Sequence, residues 1–346
     1  MAYSSIVKPS AYFNTKLYSG NGGTQSITGV GFQPDWVWCK GRSFVDNHIS
    51  FDAVRTATKV LKPNTTAAES TVAATLTSFD SDGFSLGSDG EINANNQTFV
   101  SWNWKANGTG SANTDGSINT IATSVNTTSG FSIVKYLGTG SAGTIGHGLT
   151  VAPKIYIIKN LSDTTNWKFY TTAIDGSLDI LNLNTTDTKS DSAGTLPTNS
   201  VFSIGTNANQ GANGNGYVVY CFAEKTGYSK FGSYVGNGND DGPFIYCGFK
   251  PAWILIKNTQ QGGDDWILHN NKFPGFNVNN QYLYANTTNA QIDLSTLQLD
   301  IVSNGFKIRK STGAFNNSNE KMIYMAFAEQ PLVANSGNDG VPATAR

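Results

Sequence analysis

Short apolar runs punctuated by polar turns govern the whole chain. "DWVWCK" at 35–40, "KIYIIK" at 154–159 and "AWILIK" at 252–257 each follow a proline by no more than a residue and give way to Gly, Asn or Ser. Such runs, rich in β-branched and aromatic residues and bounded by turn formers, predict strands. "SFDSDGFSLGSDGE" predicts strand, Asp-Gly turn, strand and turn. No window longer than about ten residues keeps an i, i+3, i+4 apolar pattern. "TAAESTVAATL" at 66–76 is the one stretch expected to form a turn or two of helix.

The pattern repeats. An opening Tyr-x-Gly segment falls at Tyr18, Tyr136 and Tyr234, and the strand-initiating proline at Pro34, Pro153 and Pro251. The lysine closing that strand is Lys40, Lys159 and Lys257. An Asn-Thr-Thr turn begins at Asn64, Asn184 and Asn286, and a late strand carries Phe84, Phe202 and Phe306. From the first copy to the second the five landmarks shift by 118 to 120 positions, and from the second to the third by 98 to 104. Offsets this regular define three copies of one unit. Each copy ends on an aromatic strand, "TFVSWNWKA", "YVVYCFAEK" or "MIYMAFAEQ".

The difference between the two offsets lies in "NGTGSANTDGSINTIATSVNTTSG", which reads as a Gly/Ser/Asn/Thr linker over 107–130. The expected organisation is therefore an N-terminal arm (1–10), repeat 1 (11–106), the linker (107–130), repeat 2 (131–227), repeat 3 (228–332) and a C-terminal extension (333–346). The linker predicts a tethered first copy beside an abutting second and third. The fold class expected is all-β, with three tandem antiparallel β-sandwich repeats of jelly-roll-like form.

Composition narrows the function. Charged residues make up 14% of the chain against about 25% in an average domain, and net charge is −1, so nothing draws it to nucleic acid or an anionic membrane. No run approaches the ~18 apolar residues of a membrane span, and MAYSSIVKPS lacks the apolar segment of a secretion signal. Cys39, Cys221 and Cys247 sit in apolar runs and read as buried thiols, too few for a disulfide framework.

Candidate chemistry is thin. His48, His147 and His269 lie in different copies without a second ligand at metal spacing, and read as turn or surface residues. Asp80, Asp82, Asp89 and Glu91 lack the spacing of a calcium loop and read as a solvated hairpin. Glu224 and Glu329 share a place that Ala106 holds in the first copy, so no carboxylate pair converges within one site. Asp52 and Asp175 complete the titratable candidates. No cofactor or metal is implied. Trp36 and Trp253 should face the core. On the next strand His48, Trp167 and Trp266 are equivalent, and at a sheet edge Trp167 and Trp266 would stack on a glycan.

The stretches "KPSAYFNTKLYSGNGGTQSITGVGFQPDWVWCKGRS", "FDAVR…KVLKPNTTAAES" and "MAFAEQPL…GVPATAR" resemble the repeat modules of structural proteins from tailed bacteriophages, especially marine ones, of virion or tail-fibre-like type. The resemblance spans nearly the whole chain and is strongest in the first copy. Neither later copy has a counterpart of "FDAVR", and the second replaces the Asp-Gly turn before Phe202 with "TNSV". It implies a non-enzymatic protein on the particle exterior, a tail fibre or capsid decoration. The protein would be made in the host cytoplasm and found in the virion. Its partners would be other head or tail proteins and itself, as a homotrimer, since fibres and decorations sit on symmetric platforms. The alternative is a receptor-binding protein that binds or degrades host surface glycan.

Overall fold

The computed structural model describes Ser4 and residues 6–332, apart from Leu297 and Thr312. The extension 333–346 lies outside the described residues. The regular structure described is almost entirely strand, joined by turns and irregular segments, and the paired strands of the sheets are antiparallel. The first third contributes β1 (Phe13–Ser19), β2 (Gln25–Thr28), β3 (Trp36–Gly41), β4 (His48–Asp52), β5 (Lys59–Val60), β6 (Ser70–Thr71), β7 (Leu76–Asp80), β8 (Gly83–Leu86) and β9 (Thr98–Trp104). The middle third contributes β10 (Ala122–Asn126), β11 (Phe131–Leu137), β12 (Gly143–Gly146), β13 (Ile155–Asn160), β14 (Lys168–Thr171), β15 (Asp179–Asn182), β16 (Ser190–Asp191), β17 (Val201–Ile204) and β18 (Gly216–Phe222). The last third contributes β19 (Ser229–Val235), β20 (Phe244–Tyr246), β21 (Phe249–Asn258), β22 (Ile267–Asn270), β23 (Gln281–Tyr284), β24 (Ile292–Asp293), β25 (Leu299–Val302), β26 (Gly305–Ile308) and β27 (Lys321–Pro331).

One strand order recurs in the larger sheets: β1-β9-β3-β4, β11-β18-β13-β14 and β19-β27-β21-β22. The middle sheet is extended by β10 at one edge and by β15 and β16 at the other, and the last by β23 and β24. Each aromatic closing strand thus lies between the opening strand and the proline-initiated strand. A smaller sheet accompanies each: β2-β8-β7, β12-β17 and β20-β26-β25.

Strand periodicity explains the continuous apolar runs. Val37 and Cys39 on β3 turn toward the smaller sheet of their own third and pack with Phe84, Leu86 and Leu76. Trp36 and Trp38, one step out of phase, turn the other way. Tyr156 and Ile158 alternate with Ile155 and Ile157 in the same manner, as Ile254 and Ile256 do with Trp253 and Leu255. Both faces of every central strand are therefore buried.

The faces turned away from the smaller sheets meet one another. Trp36, Trp102 and Trp104 share one cluster with Phe131, Ile155, Tyr220 and Phe222 and with Trp253, Leu255, Met325 and Phe327. Trp36 stacks on Trp104 at 4.3 Å and on Tyr220 at 4.4 Å, and Trp104 meets Trp253 edge-on at 5.7 Å. Ile6 from the N-terminal arm is buried in the same cluster.

Three expectations are corrected. Residues 107–130 are not a plain linker: β10 lies within them and pairs with β11, Ser111 bridges Thr123, and Ile118 bridges Ile145. The first third is not tethered apart, because its tryptophans form the common core. Residues 66–76 hold β6 rather than a helical turn; the described α-helix is Gly90–Asn93, capped by the Asp89 carboxylate accepting from the Glu91 backbone N–H at 2.9 Å.

Candidate functional site

The landmark residues that recur in the sequence converge on the seams between the thirds. Lys40, Lys159 and Lys257 are fully buried at the ends of β3, β13 and β21. Each donates to the carbonyl closing a neighbour's Asn-Thr-Thr turn: Lys40 Nζ to Thr288 O at 3.2 Å, Lys159 Nζ to Thr66 O at 2.9 Å and Lys257 Nζ to Thr186 O at 3.4 Å. The same carbonyls accept backbone N–H groups from Asp46, Thr165 and Gly263. Three further backbone bonds follow the same cycle, Glu69 N to Leu161 O, Lys189 N to Thr259 O and Gln291 N to Arg42 O. The first third binds the last, the middle binds the first and the last binds the middle, so the ring closes.

His48, Trp167 and Trp266 face these seams. Trp167 Nε1 donates to Lys62 O at 3.1 Å, Trp266 Nε1 to Asn182 O at 3.0 Å, and His48 Nε2 meets Tyr284 O at 2.9 Å. Within its own third each takes a backbone anchor from the asparagine of the turn, Asn64, Asn184 or Asn286, whose Oδ1 accepts from its N–H. The proposed glycan-stacking role of Trp167 and Trp266 is therefore corrected: both are 1% exposed and their rings lie in the common core. A sheet-edge strand presents its rings to solvent only if nothing docks on that edge, and here the adjoining third does. Replacing either by Ala is expected to cost roughly 3–5 kcal/mol of stability, read as a fall in denaturation midpoint.

Burial sets the ionisation of the seam. It lowers the pKa of Lys40, Lys159 and Lys257 to about 8, against the opposing pull of Asp46, Asp163 and Asp264 respectively. His48 accepts at Nδ1 from Trp38 Nε1 at 2.9 Å, which leaves the proton on Nε2 for Tyr284 O. Burial, aided by Lys40, holds it well below the usual histidine range. All three histidines are buried, not surface residues as expected, and burial lowers His269 to about 4 and also lowers His147.

These histidines make stability acid-sensitive. A histidine depressed in the folded state takes up its proton on unfolding, so its contribution is complete above about pH 6.5 and is lost as pH falls toward the folded value. His269 is expected to remove about 2 kcal/mol between about pH 7 and pH 5, and His48 to act in the same direction. Burial raises the carboxyl pKa of Asp35 and Asp46, which act in the opposite sense at lower pH. Chemical denaturation at the two pH values should show the loss, and His269→Gln should shrink it.

The remaining candidates sit apart, each held by structural partners. Asp52 is buried between Arg55, at 2.5 Å, and the Tyr220 hydroxyl, at 2.7 Å, so "FDAVR" joins the first third to the middle one. Arg55 also reaches Glu69 at 3.1 Å and the carbonyls of Ser50 and Lys59. Asp175 accepts from Ser177 and pairs with Lys189, and these hydrogen bonds lower it to about 2. Glu224 bridges Lys154 at 3.0 Å and Lys230 at 3.5 Å. Asp89 and Glu91 belong to the helix, whereas Asp82 accepts from the backbone N–H groups of Gly29 and Gly31. No group of three or more His, Cys, Asp or Glu side chains that could hold a metal occurs among the described residues. The three cysteines are free and buried, and burial pushes the Cys39 thiol up to about 12.

Sequence reading found the lysines and the Asn-Thr-Thr turns as landmarks but not as partners. Their joint recurrence in every copy was the available signal, since a buried ammonium needs carbonyl acceptors.

A family profile described as a domain of unknown function (DUF7483) matches residues 8–331, which takes in all three thirds. No curated protein matches the chain.

Proposed function

We propose that this chain, which belongs to the DUF7483 family of unknown function, is a non-enzymatic structural protein of a bacteriophage particle, on its exterior as a tail fibre or capsid decoration. In this reading the chain is three sandwich modules of one kind, each a larger sheet against a smaller one, closed into a ring. The observation that carries it is the commitment of the titratable candidates to seams, ion pairs and buried hydrogen bonds. Asp52, Asp175, Glu224 and the three histidines each serve a separate structural contact. Dense turns, low charge and a shared core suit a module that must stay rigid outside a cell.

Its partners are other virion proteins and further copies of itself. The homotrimer expected from symmetric platforms is tested by the solution mass, three times the 36.9 kDa of one chain. A single chain already repeats its faces around a ring, so a monomer seated on a threefold axis is the competing outcome. Cryo-electron microscopy of the particle is expected to place the protein on the outer surface. Its absence from purified particles, or release of reducing ends from host polysaccharide by the purified protein, would sink the reading.

Binding of host-surface glycan is a second reading, favoured by an open cleft in the middle third.

A further inference from the structure

The smaller sheets are not alike. β8 and β26 each have two strand neighbours, whereas β17 pairs with β12 alone. In the first third, β7 carries Leu76, which is fully buried; in the last, β25 carries Leu299 and Ile301, also fully buried. The middle third has Thr195-Leu196-Pro197 where the first has Thr75-Leu76-Thr77. Proline cannot donate to a ladder, and Leu196 is 53% exposed. The turn has changed as well. Gly83 and Gly305, where a Cβ would collide with the carbonyl of Ile27 or Ile245, are replaced by Val201.

What the missing strand leaves is a solvent-open cleft of about 710 Å³ between the outer face of β13–β15 and β17. Its floor includes Tyr156 and Tyr170, stacked at 4.7 Å and 6°. Tyr156 is 1% exposed, and its hydroxyl has no hydrogen-bond partner in the structure. Tyr170 donates to Gln210 Oε1 at 3.2 Å. Around this floor stand hydroxyls and amides such as Ser203 and Asn209, beside the aliphatic Ile180. No carboxylate lines the cleft, and its one charged group, Lys168, donates to Asn182 Oδ1 at 2.9 Å.

We propose that this cleft binds an uncharged saccharide. A sugar offers apolar C–H faces and many hydroxyls, which suits the partly exposed aliphatic Ile180 rimmed by neutral donors and acceptors. The Tyr156 hydroxyl supplies a buried polar atom awaiting a partner, which a ligand hydroxyl satisfies. A polyanion would find one cation, already engaged, and a metal ion no carboxylate. The inference gives a site to the exterior-attachment reading and rests on it for biological meaning. Binding is measured on the purified protein, so it succeeds or fails separately from the protein's place in a particle.

The test is saturation-transfer NMR on the full chain, with lactose, maltotriose and diacetylchitobiose as neutral probes and a heparin tetrasaccharide as the charged control. At least one neutral probe should bind with Kd on the order of 1 mM or tighter. Ser203→Tyr, which plugs the cleft from the exposed side of β17, should abolish transfer. Tyr156→Phe should weaken binding by about tenfold without lowering the melting temperature. If Ser203→Tyr does not fold, Asn209→Ala at the rim takes its place, with weakened binding expected. Absence of transfer to every neutral probe, preference for the heparin control, or binding undiminished in the cleft variants overturns the proposal.

Discussion

Residues 131–227 produced alone are expected to associate or precipitate rather than remain a soluble monomer. Taken out of the ring, this segment uncovers Phe131, Ile133, Ile155, Ile157, Phe169, Val218, Tyr220 and Phe222, all buried in the common core. Burying one such side chain is worth about 1.5–3 kcal/mol, so exposing the eight removes roughly 12–24 kcal/mol, as much as the 5–15 kcal/mol that holds a typical whole domain or more. It also exposes a contiguous apolar patch of the kind soluble monomers avoid. The segment keeps both halves of a seam, the Lys159 ammonium and the Thr186 carbonyl. Self-association through that seam is therefore an available outcome, and analytical ultracentrifugation distinguishes it from precipitation. A monomeric segment with a cooperative transition close to that of the full chain would show that the common core contributes little. For the same reason the full chain is expected to unfold in one transition, since each third loses its share of the common core when another leaves.

Asp52→Ala is expected to destabilise the full chain by about 3–5 kcal/mol. The carboxylate lies at 2.5 Å from Arg55 and accepts from Tyr220, and both Asp52 and Arg55 are buried. Burial opposes the charge of the Arg55 guanidinium, but Asp52 beside it, with Tyr220 and Glu69, holds its pKa above the usual value. Removing Asp52 leaves that cation buried with Glu69 as its carboxylate partner at 3.1 Å. Replacing both members of the pair, Asp52→Leu with Arg55→Met, should restore most of the loss, because paired apolar groups carry no desolvation penalty. Urea denaturation of the three variants gives the comparison. A loss below about 1 kcal/mol for Asp52→Ala would mean that water reaches Arg55 after the substitution.

Much of the fold was legible because strand signals are local. Proline, β-branched residues and turn formers at Pro34, Pro153 and Pro251 act within a few positions, so the all-β class, the recurring unit and the central strand of each larger sheet could be read directly. The buried cysteines were legible for the same reason. The reading of Trp167 and Trp266 failed because a strand's period of two says which residues share a face but not what lies opposite that face. Likewise "NGTGSANTDGSINTIATSVNTTSG" has a linker's composition, yet Thr123 and Val125 find partners on β11 that are invisible to composition.

The sequence by itself determined the strands, their recurrence and, through Pro197 and Val201, the incomplete small sheet of the middle third. Only the tertiary structure decided that the three thirds turn their aromatic faces inward onto one core. Only it decided that each buried lysine finds its carbonyls on a neighbour, because these partners lie from 71 to 248 positions apart along the chain. Local backbone preference does not reach that far. The pairing is selected by the cost of leaving an ammonium or a tryptophan face without a partner, and that cost exists only once the sheets have met.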